Sequence, residues 1–334
     1  MSYLPIDKRT FSLIPATDYT SQQETSPWLI HPFLRVGSSM MLYGRQGTGK
    51  TRLAWQLAYA FASGTAWMGF PVTRPGPVIF LEVDMPESDV QQMIDNATAY
   101  GINHPDIHLI HPKTPSDDYF DSFDVLKRPD RISLMSFIQD IKPVLLVVDT
   151  GNDVFRTHPG DINDQVRNVL RTLRSMMQGH GALVYLNHER KKPQTYGRSS
   201  EDDSGGDKDV FMGAQAWEGV ATTSMRLKNV DETTQSKHKT LLFKKHRLGP
   251  PGFEQLSLEM MKPYGFFEAK LTIPQALMLW RGDTSSGPRS YKEVFTDIAA
   301  QVGASEETVK KAFQRQRENG VEHPWVEFLE RDSL

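Results

Sequence analysis

Eight residues, Gly44-Arg45-Gln46-Gly47-Thr48-Gly49-Lys50-Thr51, constrain this chain more than any other stretch. They follow the spacing G-x-x-x-x-G-K-[ST], in which glycines let backbone N–H groups crowd around a phosphate while a helix start adds partial positive charge. The flanks suit that geometry. Ser39-Met40-Met41-Leu42-Tyr43 is a short apolar run fit for a buried strand, and Leu53, Leu57 and Phe61, with Ala54 and Ala58 beside them, recur at helical spacing. Gly44, Gln46, Gly47, Thr48, Gly49, Lys50, Thr51 and Arg52 are therefore the candidate phosphate-binding residues. In such a loop the lysine reaches the β- and γ-phosphates and the Thr51 hydroxyl ligates Mg²⁺, so ATP and Mg²⁺ are the expected cofactors.

A chain of 334 residues has room for one large α/β domain and a small one. It has no cysteine, which excludes disulfides, thiolate zinc sites and cysteine nucleophiles and fits a reducing cytoplasm. No apolar run reaches membrane-spanning length, and the N-terminus lacks a basic-then-apolar signal. The formal charge is −3, so any contact with nucleic acid has to come from a local basic surface.

Residues 1–27, rich in Pro, Ser, Thr and Gln, read as an N-terminal arm. Beyond the glycine loop, strand and helix patterns alternate. Pro77-Val78-Ile79-Phe80-Leu81-Glu82-Val83-Asp84 is a buried strand ending in carboxylates, followed by a helix over 87–100 and a short strand over 107–110. A helix over 130–141 presents Ile132, Met135, Phe137, Ile138 and Ile141 as its apolar residues. Val144-Leu145-Leu146-Val147-Val148-Asp149 is apolar without alternation, as in a strand covered on both faces. Downstream of a P-loop it reads as a Walker B strand whose Asp149 holds Mg²⁺. A helix over 163–178 leads to the strand Ala182-Leu183-Val184-Tyr185-Leu186, which delivers Asn187 and His188 at its end. The succession implies a doubly wound, mostly parallel sheet, with ligands at the carboxyl ends of its strands, where Asp84, Asp149 and His188 all fall. The long polar loop over 189–209 carries Arg190, Lys191, Lys192 and Arg198 and is either a solvated loop or one that meets phosphates. Strands over 222–227 and 240–244 flank an exposed turn.

Lys245-His246-Arg247-Leu248-Gly249-Pro250-Pro251-Gly252 resembles the K-x-R-x-G-P-x-G stretch of DnaB-type replicative helicases. The fragments Leu81-Glu82-Val83-Asp84-Met85-Pro86 and Val147-Val148-Asp149-Thr150 look like that group too, and the compact layout is similar to RepA-type plasmid helicases. Both are RecA-fold motor ATPases, and the resemblance covers residues 28–271. It implies that Asp84 stands where the family places a water-polarising glutamate, with Glu82 two residues earlier as an alternative. It further implies that His188 senses the γ-phosphate, and that Lys245 and Arg247 cross to the ATP of a neighbouring subunit in a homo-oligomeric, hexameric ring acting on single-stranded DNA. A phage or plasmid replicative helicase in a bacterial cytoplasm is the expectation. An ATP-gated recombination mediator or helicase loader is the alternative.

Residues 272–289 read as a linker, and 290–334 as a small winged-helix-like domain. There a helix over 291–302, a turn at Gly303 and a second helix over 306–318 precede a hairpin wing over 321–330. Lys310, Lys311 and Arg315 on the second helix are candidates for DNA contact, and docking of other replication or recombination proteins is the competing use of such a module.

Overall fold

The computed structural model describes residues 27–111, 123–154, 162–189, 216–230, 236–246, 254–280, 290–323, 325, 326 and 329. In chain order the elements are β1 (Trp28–Ile30), β2 (Leu34–Arg35), β3 (Ser39–Gly44), α1 (Lys50–Ser63), β4 (Val78–Glu82), α2 (Glu87–Tyr100), β5 (Ile107–Ile110), α3 (Arg128–Ile141) and β6 (Leu145–Asp149). A 3-10 turn (Gly151–Val154) follows, then α4 (Ile162–Met176), β7 (Ala182–His188), α5 (Ala216–Val220), β8 (Thr223–Asn229) and β9 (His238–His246). The chain continues with β10 (Gln255–Met261), β11 (Phe266–Lys270), α6 (Ile273–Leu279), α7 (Tyr291–Val302) and α8 (Glu306–Glu318).

Nine strands form one sheet in the order β11-β10-β9-β8-β3-β7-β6-β4-β5. From β8 through β5 every pairing is parallel; from β8 outward through β9, β10 and β11 every pairing is antiparallel. The inner strands β3, β4, β6 and β7 are buried on both sides, which is why they are largely apolar runs. Alternation along those strands sorts the side chains. Met40, Leu42, Phe80, Val147 and Val184 pack beneath α1 and α2, while Met41, Tyr43, Leu81, Val148 and Tyr185 pack against α3, α4 and Trp217. On α4 the buried residues Val166, Val169, Leu170 and Leu173 keep helical spacing against a polar outer face.

The same alternation places the site. Glu82 continues the face of Phe80, Asp149 that of Val147, and His188 that of Leu186, so all three point toward the α1 side of the sheet. In register, Glu82 lies opposite Asp149 and Gly44 opposite His188. The strand bearing the glycine loop and the strand ending in Asp149 are separated by β7 alone.

Three expectations need correction. The apolar stripe of α3 is Leu134 and Ile138, while Ile132, Met135 and Phe137 are 54%, 40% and 45% exposed, because the helix meets the sheet along a narrow seam. The stretch expected as a linker begins with α6, whose Ala276 and Leu277 pack into a core with Val294, Ile298, Val309, Phe313 and Trp325. No described residue of 321–330 lies in a strand; Trp325 instead stacks on Phe313 at 5.1 Å and donates its indole N–H to the carbonyl of Leu277. The two helices around Gly303 are present as expected, with Ser290 and Ser305 capping their N-termini. Residues 1–26 of the expected N-terminal arm lie outside the described residues, as do Arg190, Lys191, Lys192 and Arg198 of the expected polar loop, and Arg247. No helix among the described residues is long and apolar enough to cross a membrane.

Candidate nucleotide site

The turn between β3 and α1 supplies the cradle. Gly49 is the N-cap residue of α1, at φ 97°, a left-handed conformation that glycine adopts without strain. A Cβ there would also sit 2.6 Å from the Phe267 ring, so the position is closed to side chains twice over. At Gly44 a Cβ would lie 2.3 Å from the carbonyl oxygen of Leu227 on β8. No side chain caps the first turn of α1 and no acidic residue lies in it, so its N–H groups and dipole are left to an anion. The Thr48 hydroxyl donates to the Arg45 carbonyl at 2.9 Å and closes the loop on itself.

Lys50 is 5% exposed. Its ammonium donates to the carbonyls of Gly44 and Arg45 at 3.2 Å each and approaches His188 Nδ1 at 3.2 Å. Burial lowers its pKa, and the carboxylates of Asp149, Asp84 and Glu189 work against that shift. On the far side of the imidazole, His188 Nε2 is 3.7 Å from Asp84 Oδ2. That contact holds the Asp84 carboxyl below the usual carboxylate range. Lys50, His188 and Asp84 thus form a row drawn from α1, β7 and the turn after β4.

Behind the row lies a buried acidic pair. Asp149 is 1% exposed, and the Thr51 hydroxyl is bonded to it. Glu82, across the ladder, is fully buried, and its Oε1 accepts the backbone N–H groups of Asp84 and Met85 at 2.9 and 3.1 Å. Burial raises Asp149 to about 6; burial, then the neighbouring Asp149, raises Glu82 to about 8. Asp149 Oδ2 is buried without a hydrogen-bond partner. An orphaned carboxylate oxygen beside a threonine hydroxyl is the oxygen donor set that suits Mg²⁺.

These carboxyls give the chain a specific pH dependence. Both are raised above their unfolded values, so the stability they contribute is present in acid and lost as pH rises through about 6 and then about 8. The expected result is a melting temperature that falls between pH 5 and about 8.5 in chelator, by an amount on the order of a few kcal/mol in stability. Glu82→Gln, which cannot ionise, flattens the upper part of that fall. Melts of both chains across the range check it, and equal slopes would remove Glu82 as the cause.

Other expected residues take different places. Arg52 lies against the tight turn at Gly265, where a Cβ would meet its guanidinium. The Lys245 ammonium donates at 2.8 Å to the carbonyl of Glu218, in the same chain. On the small helical unit, Lys311 pairs with Glu307 at 3.4 Å, while Lys310 and Arg315 are exposed. Two polar groups at the site escaped the sequence reading. The Thr150 hydroxyl donates to Asp153 just past β6, and Arg226 of β8 makes a buried pair with Glu189 beside His188. A polar residue within one turn of the Walker B carboxylate was the available signal for Asp153. Arg226 gave none, because its partner is distant in sequence.

No curated protein matches the sequence. The profile of the AAA domain family AAA_25 matches residues 8–194, a stretch that holds the glycine loop, β4, β6 and β7 with the side chains they bring together. With more than half of its length so matched, the chain belongs to this family of P-loop NTPases, which is of the RecA/DnaB-like helicase type.

Proposed function

We propose that this protein is an ATP-hydrolysing ring motor that moves along single-stranded DNA, a replicative helicase of phage or plasmid type. The observation that supports hydrolysis is the meeting of Lys50, Thr51, Asp84, Asp149 and His188 on one side of the sheet, at the mouth of the glycine turn. The amides of the first turn of α1 bind phosphate oxygens, and Lys50 turns from the carbonyls of Gly44 and Arg45 to the β- and γ-phosphates. Thr51 and Asp149 would hold Mg²⁺, which would supply charge neutralisation at the transferring phosphate. Asp84 is 44% exposed and ionised, so it is the carboxylate able to accept a proton from an attacking water. His188 ties it to Lys50, and the sequence directly after Glu189 supplies the cations Arg190, Lys191, Lys192 and Arg198 as DNA contacts.

The motor reading draws on the Lys245-to-Gly252 stretch, in which Arg247 serves the ATP of a neighbouring copy. A cation supplied in trans contributes about 10³–10⁵ in rate in related phosphoryl-transfer systems. The exposed cations of α8 provide a second DNA contact. Purified protein with ATP and Mg²⁺ is expected to displace a strand from a tailed duplex, and to hydrolyse ATP several times faster with single-stranded DNA than without. DNA-stimulated hydrolysis without unwinding would favour an assembly factor over a helicase. Hydrolysis indifferent to DNA would exclude both.

A further inference from the structure

Glu82 has a place in the site that the chemistry above does not use. It is the last residue of β4 and is sealed from solvent, whereas Asp84 lies beyond the strand with its carboxyl open. Between them the chain leaves the sheet. Val83 still donates to the Asp149 carbonyl at 2.8 Å, but the next two N–H groups, of Asp84 and Met85, both donate to the Glu82 side chain. Pro86 then opens α2. The residue that carries the candidate base therefore sits on a turn whose amides are gathered by one carboxyl oxygen from two and three residues back. This is the way a side chain caps a helix start. Donors in a partly buried turn need such an acceptor, and its loss frees the turn to move.

We propose that Glu82 is a positioning residue, its carboxyl oxygen holding the Asp84–Met85 turn so that the Asp84 carboxylate stays against His188. Glu82 itself takes no proton from water, since no solvent reaches it. The catalytic part of the proposal rests on the ATPase reading; the cap does not. Three expectations separate this role from that of a base or an ionised ligand. Glu82→Gln keeps an acceptor oxygen at the same reach, so its kcat stays within about threefold of wild type. Glu82→Ala lowers kcat by about 10²-fold with little change in KM, the cost of a misplaced group rather than of lost binding. Amide exchange at Asp84 and Met85 quickens by about tenfold in the alanine variant and not in the glutamine one.

The experiment measures all three in the full chain, with Glu82→Met, which fills space without an acceptor, standing in if the alanine variant does not fold. Glutamine as inactive as alanine would overturn the proposal, because then the charge and not the cap is what matters. Wild-type exchange at both amides in the variants lacking an acceptor would overturn it as well. A wild-type chain that hydrolyses no ATP would remove the ATPase reading, while the exchange comparison would still decide the cap.

Discussion

Lys50→Ala is expected to end ATP turnover, with a fall of about 10³-fold or more in kcat/KM, the scale of losing a preorganised charge at the transferring phosphate. The ammonium is buried among two main-chain carbonyls, the His188 ring and three carboxylates, and nothing else in that row carries a fixed positive charge. Lys50→Arg is not expected to rescue it. A planar guanidinium cannot be seated between the Gly44 and Arg45 carbonyls as a compact ammonium is. The fold survives the alanine change, since α1 is anchored by Leu53, Leu57 and Phe61 rather than by its first residue. Phosphate release and a thermal melt on the same preparation check both halves. Turnover within tenfold of wild type would mean that the glycine loop is not the hydrolytic site.

Asp149→Asn should separate activity from stability in opposite directions. The carboxylate is buried, one of its oxygens has no hydrogen-bond partner, and its pKa is raised to about 6, so at pH 8 the fold carries an ionised group that it disfavours. The amide removes that charge at nearly the same volume. The variant is expected to be more stable than wild type at pH 8 without metal, by about 2 kcal/mol. It is also expected to lose turnover by about 10³-fold, along with the extra stabilisation that Mg²⁺ and nucleotide together give the wild type. Melts with chelator, then with Mg²⁺ and a non-hydrolysable nucleotide, read this directly. A variant that still gains from Mg²⁺ would place the metal elsewhere. Such an exchange of stability for function is common where a site must hold unpaired charge.

The parts legible from sequence were those whose environment is uniform along the chain. β3, β4, β6 and β7 are covered on both faces, so they are largely apolar runs; β4, β6 and β7 end on polar residues at the cleft, and β3 ends on the glycine loop. The glycine loop was legible because its geometry excludes other residues at Gly44 and Gly49. The hairpin β10–β11 was not. Leu256 and Leu258 alternate with exposed Gln255 and Ser257, and that weak pattern is interrupted by the turn at Pro263 to Gly265. What makes it a strand pair is distant: Gln56 of α1 bonds both the N–H and the carbonyl of Phe267. The wing failed for a similar reason, since Trp325 is claimed by Phe313 and Leu277, partners 12 and 48 residues away. Within the site, strand ends gave Asp84, Asp149 and His188. The sealing of Glu82 and the pairing of Arg226 with Glu189 depend on register between strands, which no local pattern carries.

The placement of β8 has a practical corollary. It flanks β3 directly, with its Leu227 carbonyl pressed on Gly44, although it lies some thirty residues past the family-matched segment that ends at residue 194. Phe267, farther along still, floors the helix that follows the glycine turn. A fragment trimmed at the family boundary would strip the inner sheet of a neighbour and bare the underside of that helix. Expression of residues 8–194 alone should give insoluble material, and the shortest piece worth purifying for enzymology runs through Lys270.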